Sequence, residues 1–262
     1  MSAPTPCAPG LAICAPGPAV CAAGLPTRRA SLAQVLRRLR RAYGPRPWRT
    51  WGTPLDELVG TILSQNTNDR NSDAAWRRMR ATYPQWNGAA DAPPAAIAAA
   101  IRPAGLHRQK ARSIRAVLRR IRSERGSITL DFLRRWPTQR IKDYLLSLPG
   151  VGPKTAACVL LFSTLRRPVL PVDTHVCRVS RRLGLIGPRT NAEQAHGLLA
   201  AIVPPRSVYA FHVLMIEHGR KVCHARRPEC GACCLNDVCP SAFTLPAPPT
   251  PTKRRPMRPP RI

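Results

Sequence analysis

Lys154 comes directly after Leu148-Pro149-Gly150-Val151-Gly152-Pro153, a glycine-punctuated turn between two apolar helical runs. The first helix is expected to stop at Leu148 and the second to start at Pro153, whose fixed φ and missing N–H suit the first helical position. Gly150 and Gly152 can take positive φ, and neither puts a side chain over the turn. The unpaired N–H groups of such a helix start, at the positive end of its dipole, form an anion site fit for a phosphate. Lys154 beside it reads either as one more phosphate contact or as an amine nucleophile. Downstream, Val172-Asp173-Thr174-His175 supplies a carboxylate in a chain that has few, although Asp before Thr is also an ordinary helix N-cap.

A second constellation is Cys223, Cys230, Cys233 and Cys239, spaced C-x6-C-x2-C-x5-C within 17 residues. Four thiolates this close can share one metal centre, and tetrahedral zinc or an iron–sulfur cluster is what commonly takes four. Zinc ribbons present two C-x2-C pairs on separate knuckles, whereas a single C-x2-C between longer loops favours a cluster. Cys234 adds nothing to the spacing and reads as a spectator. Arg226 and Arg227 lie in the first loop of the box, where fixed positive charge suits phosphate contact.

These groups sit in a chain with 42 Lys+Arg against 13 Asp+Glu, a formal net charge of +29. Compositional drift toward Arg explains the choice of Arg over Lys but not the shortage of acids, so the expected partner is a polyanion, nucleic acid first. No stretch reaches the roughly 18 apolar residues of a membrane span, and no basic segment precedes an apolar one near the start. The ten cysteines then read as metal ligands and core residues of a cytoplasmic protein rather than as disulfides.

The elements that must position the site are helical throughout. Residues 1–27, with Cys7, Cys14 and Cys21 among Pro, Gly and Ala, read as a disordered extension. Ser31-Leu32-Ala33-Gln34 is a capping box leading into an apolar face. Thr53-Pro54 starts a helix with the stripe Leu55, Leu58, Val59, Ile62 and Leu63. That helix runs into Ser64-Gln65-Asn66-Thr67-Asn68, more uncharged hydrogen-bonding side chains than a cap needs, and Gln65 or Asn66 could fill a gap in a duplex. Helical patterns continue over 70–82, 93–102, 107–124, 129–135 and 139–147, then from Pro153 and from Asp173, with a last helix over 206–219. Lys110, Arg112, Arg115, Arg119 and Arg120 read as a solvated face, and the Pro-rich basic tail 244–262 as disordered.

Together the hairpin, the Val172–His175 block and the cysteine box, which follows Glu217-His218-Gly219-Arg220, resemble the endonuclease III family of DNA glycosylases in the helix-hairpin-helix superfamily. The resemblance runs from about Ser31 to Cys239. It implies an all-α fold of two helical domains: a six-helix barrel over 54–167 and a discontinuous cluster domain over 28–53 and 168–243. DNA carrying damaged bases or abasic sites would bind a monomer in the cleft between them, on a bacterial nucleoid. It also implies Lys154 as catalytic lysine, Asp173 as catalytic aspartate, the four cysteines as ligands of a [4Fe–4S] cluster, and Gly150, Gly152, Gln65, Asn66, Arg226 and Arg227 at the DNA. Pro153 departs from the family's frequent basic residue before the lysine.

The expected reaction is excision of an oxidised pyrimidine with lysine attack on the sugar, followed by β-elimination at the abasic site. The expected role of Asp173 is to face the positive charge developing on the sugar and to accept a proton, since a carboxylate beside a lysine stabilises the ammonium rather than the amine. Alternatives are a mismatch glycosylase for adenine or thymine, and a noncatalytic cluster-bearing DNA-binding protein that would need neither Lys154 nor Asp173.

Overall fold

The computed structural model describes residues 30–244. The expected extension with Cys7, Cys14 and Cys21, and the expected basic tail beyond Thr244, lie outside the described residues. Within them are eleven α-helices, short 3-10 turns and no named strand; one isolated parallel bridge joins Gly52 to Ser163. Five of the eleven α-helices start where a side chain satisfies their first N–H groups. Ser31 and Gln34 close the capping box of α1 (Leu32–Tyr43), Thr53 caps α2 (Pro54–Ser64), and Asn68 caps α3 (Asp69–Thr82). Asn191 and Gln194 close a second box on α10 (Ala192–Ile202).

Two hydrophobic cores follow from the apolar stripes. The first gathers Leu58, Ile62, Ile114, Leu118, Leu145 and Val159 from α2, α6 (His107–Arg125), α7 (Thr138–Ser147) and α8 (Pro153–Phe162), with α3, α4 (Trp86–Asp91) and α5 (Pro94–Ala100) around them. The second packs α1, α9 (Thr174–Arg182), α10 and α11 (Val208–Lys221) through Leu39, Val176, Phe211 and Met215. Helix α8 belongs to both: Ala156, Val159 and Leu160 face the first core, Cys158, Leu161 and Phe162 the second. A helix apolar all round is a buried helix. Its only polar end is the start, which puts Lys154 where the two lobes meet.

The helix expected over 129–135 is a 3-10 turn, Asp131–Arg135, and the pattern over 93–102 divides into α5 and a 3-10 turn, Arg102–Ala104. Helix α4 was not legible, because six residues are too short to show a period. The expected solvated face also needs correcting. Arg112, Arg119 and Arg120 are exposed, but Lys110 is 3% exposed and donates from Nζ to Leu63 O (2.7 Å), Thr67 Oγ1 (2.6 Å) and Ala104 O (2.8 Å).

Candidate active site and cysteine-lined pocket

Helix α7 ends at Ser147, and the turn folds back through Val151 N–H to Leu148 O (3.2 Å) before α8 begins. Gly150 has φ +74°, and a Cβ there would meet Ser113 Oγ at 3.3 Å, so glycine is required. Gly152 does not use that freedom: its φ is −97°, extended backbone open to other residues. A Cβ at Gly152 would meet nothing within 4 Å, and Gly152 gives α8 no side-chain cap. The first N–H groups of α8 therefore open onto unfilled space, as an anion site needs.

Lys154 and Asp173 are both half-buried, and among the described residues no direct ion pair joins them. Asp173 is the N-cap of α9, accepting from Val176 N–H at 2.8 Å. Both charges act on the same two buried groups. Cys158, one turn beyond Lys154, has its thiol pushed up to about 11 by burial, with Lys154 pulling it down and Asp173 up. His212 is pushed down to about 4 by burial and is neutral; its Nδ1 lies 2.8 Å from Pro171 O and so carries the hydrogen. Lys154 and Asp173 thus both lie near Cys158 and His212, with no salt bridge between the two charges.

Glu57 of α2 was not singled out by its sequence context. It is 8% exposed, accepts from Thr61 Oγ1 at 3.0 Å, and burial pushes its carboxyl up to about 7 although the Lys154 charge opposes this. The folded state therefore holds a proton that the unfolded chain releases above about 4.5, and stability falls as pH rises from there through about 7. The loss amounts to up to about 3 kcal/mol. Glu57→Gln is expected to remove that slope and to raise the melting temperature at pH 8 relative to wild type, which melts at pH 5 and pH 8 measure.

The polar block after α2 divides its labour. Gln65 turns inward, its Nε2 donating to Thr155 Oγ1 at 3.3 Å, and Asn68 caps α3. Thr67 is anchored to Ala104 O, and Asp69 takes a bidentate pair from Arg220 of α11 at 2.6 and 3.0 Å. Asn66 alone is exposed with no side-chain partner, at φ +50°. Leu106 was missed: it stands at φ +45° and is 57% exposed, beside the turn that anchors Thr67. An exposed leucine in a loop has no signal in one sequence that separates it from a core residue.

Cys223, Cys230, Cys233 and Cys239 line one pocket together with Val179 and Leu235, whereas Cys234 does not line it. Arg182 donates to Cys223 Sγ at 3.2 Å and Leu235 N–H to Cys233 Sγ at 3.4 Å, while His218 Nε2 lies 3.5 Å from Cys233 Sγ. Burial first, then the neighbouring thiols, push Cys233 up to about 12. Among the described residues no three of His, Cys, Asp and Glu converge on a site for a single ion. Four cysteines lining one pocket, with hydrogen-bond donors from Arg182 and Leu235 aimed at two of the sulfurs, fit the ligand set of a metal group. Arg226 and Arg227 are exposed on the loop between the first two cysteines.

A family profile described as HhH-GPD superfamily base excision DNA repair protein matches residues 59–205. A provisionally named DNA glycosylase of Arabidopsis thaliana is 37% identical over 169 residues, which are 64% of this chain but only 57% of that protein's length. Endonuclease III of Thermotoga maritima is 34% identical over 186 residues, 71% of this chain and 82% of the relative. Among solved structures, a trapped endonuclease III–DNA covalent intermediate matches with TM-score 0.69 and 28% identity, covering 80% of this chain and 94% of the other. A thermostable thymine-DNA glycosylase matches with TM-score 0.61 at 22% identity, covering 81% and 94%, a likeness of fold alone.

Proposed function

Because the chain belongs to the HhH-GPD superfamily of base excision DNA repair proteins and is a DNA glycosylase, we propose that it excises oxidised pyrimidines and then cleaves the abasic site through Lys154. The observation that supports this reading is the nearness of Lys154 and Asp173 to the same two buried groups, Cys158 and His212, with no salt bridge between them. The lobe of the first core, 54–167, is the barrel. The described segments 30–53 and 168–243 make up the other domain, and damaged duplex lies across the cleft where α8 begins.

Chemistry at a base needs the nucleotide out of the stack, a cost of a few kcal/mol that is offset by contacts elsewhere. Gly150 and Gly152 let a phosphate approach the start of α8, and Arg226 and Arg227 hold a second stretch of backbone. Asn66 fills the vacated space while Leu106 wedges the opposite strand. Gln65, tied to Thr155, stays in the protein. The Lys154 amine attacks C1′, the glycosidic bond breaks, and its electron pair leaves with the base. Asp173 faces the positive charge on the sugar and accepts the proton that the nitrogen sheds. The sugar ring then opens as the C1′–O4′ bond breaks and O4′ takes a proton, leaving a protonated imine between Lys154 and C1′; this acidifies C2′, and loss of that C2′ proton expels the 3′ phosphate. The four cysteines hold a [4Fe–4S] cluster, which staples the residue 223–239 loops into the second core.

The glycines give a paired prediction. Gly150→Ala forces a side chain into the left-handed region and is expected to cost about 1–2 kcal/mol of stability. Gly152→Ala is expected to cost at most about 1 kcal/mol, yet to weaken duplex binding because its methyl enters the phosphate space. Melting curves and binding isotherms on both variants separate the two effects.

Borohydride trapping tests the mechanism. With a duplex containing one oxidised pyrimidine, wild type should form a covalent adduct and Lys154→Ala none. Adduct on an abasic duplex alone would leave a lyase without a matched base. No adduct on either would favour the mismatch or noncatalytic readings and overturn this one.

A further inference from the structure

We propose that Lys110 is a positioning residue which locks the two duplex-entering loops, 65–67 and 104–106, into a single register. The proposal rests on the reading above of Asn66 and Leu106 as the side chains that enter the duplex. Lys110 lies on the first full turn of α6 and is almost entirely buried. An ammonium has three protons, and here each meets an acceptor from a different segment: Leu63 O in the last turn of α2, Thr67 Oγ1 in the polar loop, and Ala104 O at the 3-10 turn. Thr67 Oγ1, having accepted from Lys110, spends its own proton on Gln65 O or Ala104 O, which ties the two loops to each other as well as to the lysine.

The cation also sits at the negative end of α2, where positive charge is favoured. No carboxylate is among its partners. A buried ammonium without a counter-ion is a costly way to fill space that a methionine would fill more cheaply, so packing does not account for it. What it supplies is directional: one group fixing three backbone segments at once. Both residues it flanks need such fixing. Asn66 and Leu106 are non-glycine residues held in left-handed backbone, a conformation that persists only where the surroundings over-determine it. Asn66 directly precedes Thr67, and Leu106 follows Ala104 by two positions. Without the clamp each loop can relax separately, and the filler and the wedge no longer arrive together.

The test reads duplex opening without chemistry. A duplex carrying a stable abasic analogue opposite 2-aminopurine is saturated with protein in a Lys154→Ala background, and the fluorescence rise reports the unstacked partner base. Lys110→Met in that background should reduce the rise at least about fivefold at saturation while binding changes less. Thr67→Val, which keeps the lysine and removes one anchor, should give an intermediate reduction and remains available if Lys110→Met fails to fold. A full rise in either folded variant overturns the proposal. No rise with Lys154→Ala itself would instead overturn the reading of the loops as duplex-entering, a failure that is distinct from that of the clamp.

Discussion

Asp173→Asn is expected to slow single-turnover base excision by about 10²–10⁴-fold while moving the melting temperature by only a few degrees. The asymmetry follows from the two jobs of one side chain. As N-cap, Asp173 offers Oδ1 to Val176 N–H at 2.8 Å, and an asparagine keeps that oxygen in place with equal capping preference. What is lost structurally is a negative charge at the start of α9, worth about 0.3–1 kcal/mol, or roughly 1–4 °C for a protein of this size. What is lost chemically is larger: asparagine neither accepts a proton nor offers a full charge to the sugar. His212 stays neutral in the variant, since the Asp173 charge holds its pKa up and removing it drives the value further down. Trapping on a preformed abasic site should fall less than excision, because the base has already left. Excision at the wild-type rate would make Asp173 a cap and nothing more.

The parts of the site that were legible in the sequence are those whose physics is local. Pro153 at a helix start, the capping box at Ser31 and the cap at Asp173 each occupy a few consecutive residues, and each is where the pattern put it. The parts that escaped depend on distant partners. Lys110 sits among arginines and reads as one of them, but its acceptor at Leu63 is 47 residues away. Gln65 and Asn66 are equivalent polar neighbours until Thr155, 90 residues on, claims one of them. Either glycine of the turn could take positive φ, and which one does was not legible: the turn needs only Gly150 there. Glu57 follows Asp56 in the first turn of α2, and nothing local marks it as the acid whose carboxyl burial pushes up to about 7.

Stripping the group held by Cys223, Cys230, Cys233 and Cys239 is expected to unfold one lobe and spare the other. Residues 223–239 contain no α-helix, only a 3-10 turn at Cys230–Ala232, and of their apolar side chains only Leu235 is fully buried. A segment with so little core of its own needs a covalent or metal staple. The hydrogen bonds from Arg182 and the Arg38–Asp237 pair attach it to α9 and α1, but they are partly exposed and weak alone. A four-thiolate centre adds several kcal/mol, so its loss should lower the melting of the α1, α9–α11 lobe by about 10 °C or more. The barrel, whose core shares only α8 with that lobe, should keep its own transition. Wild type is expected to purify yellow-brown, and Cys230→Ser should reproduce the effect and bleach that colour. Cys234→Ser, outside the pocket, should do neither. A colourless wild-type protein with one stoichiometric zinc would overturn the cluster, and an unchanged melt after stripping would show that the hydrogen bonds alone hold the loops to the lobe.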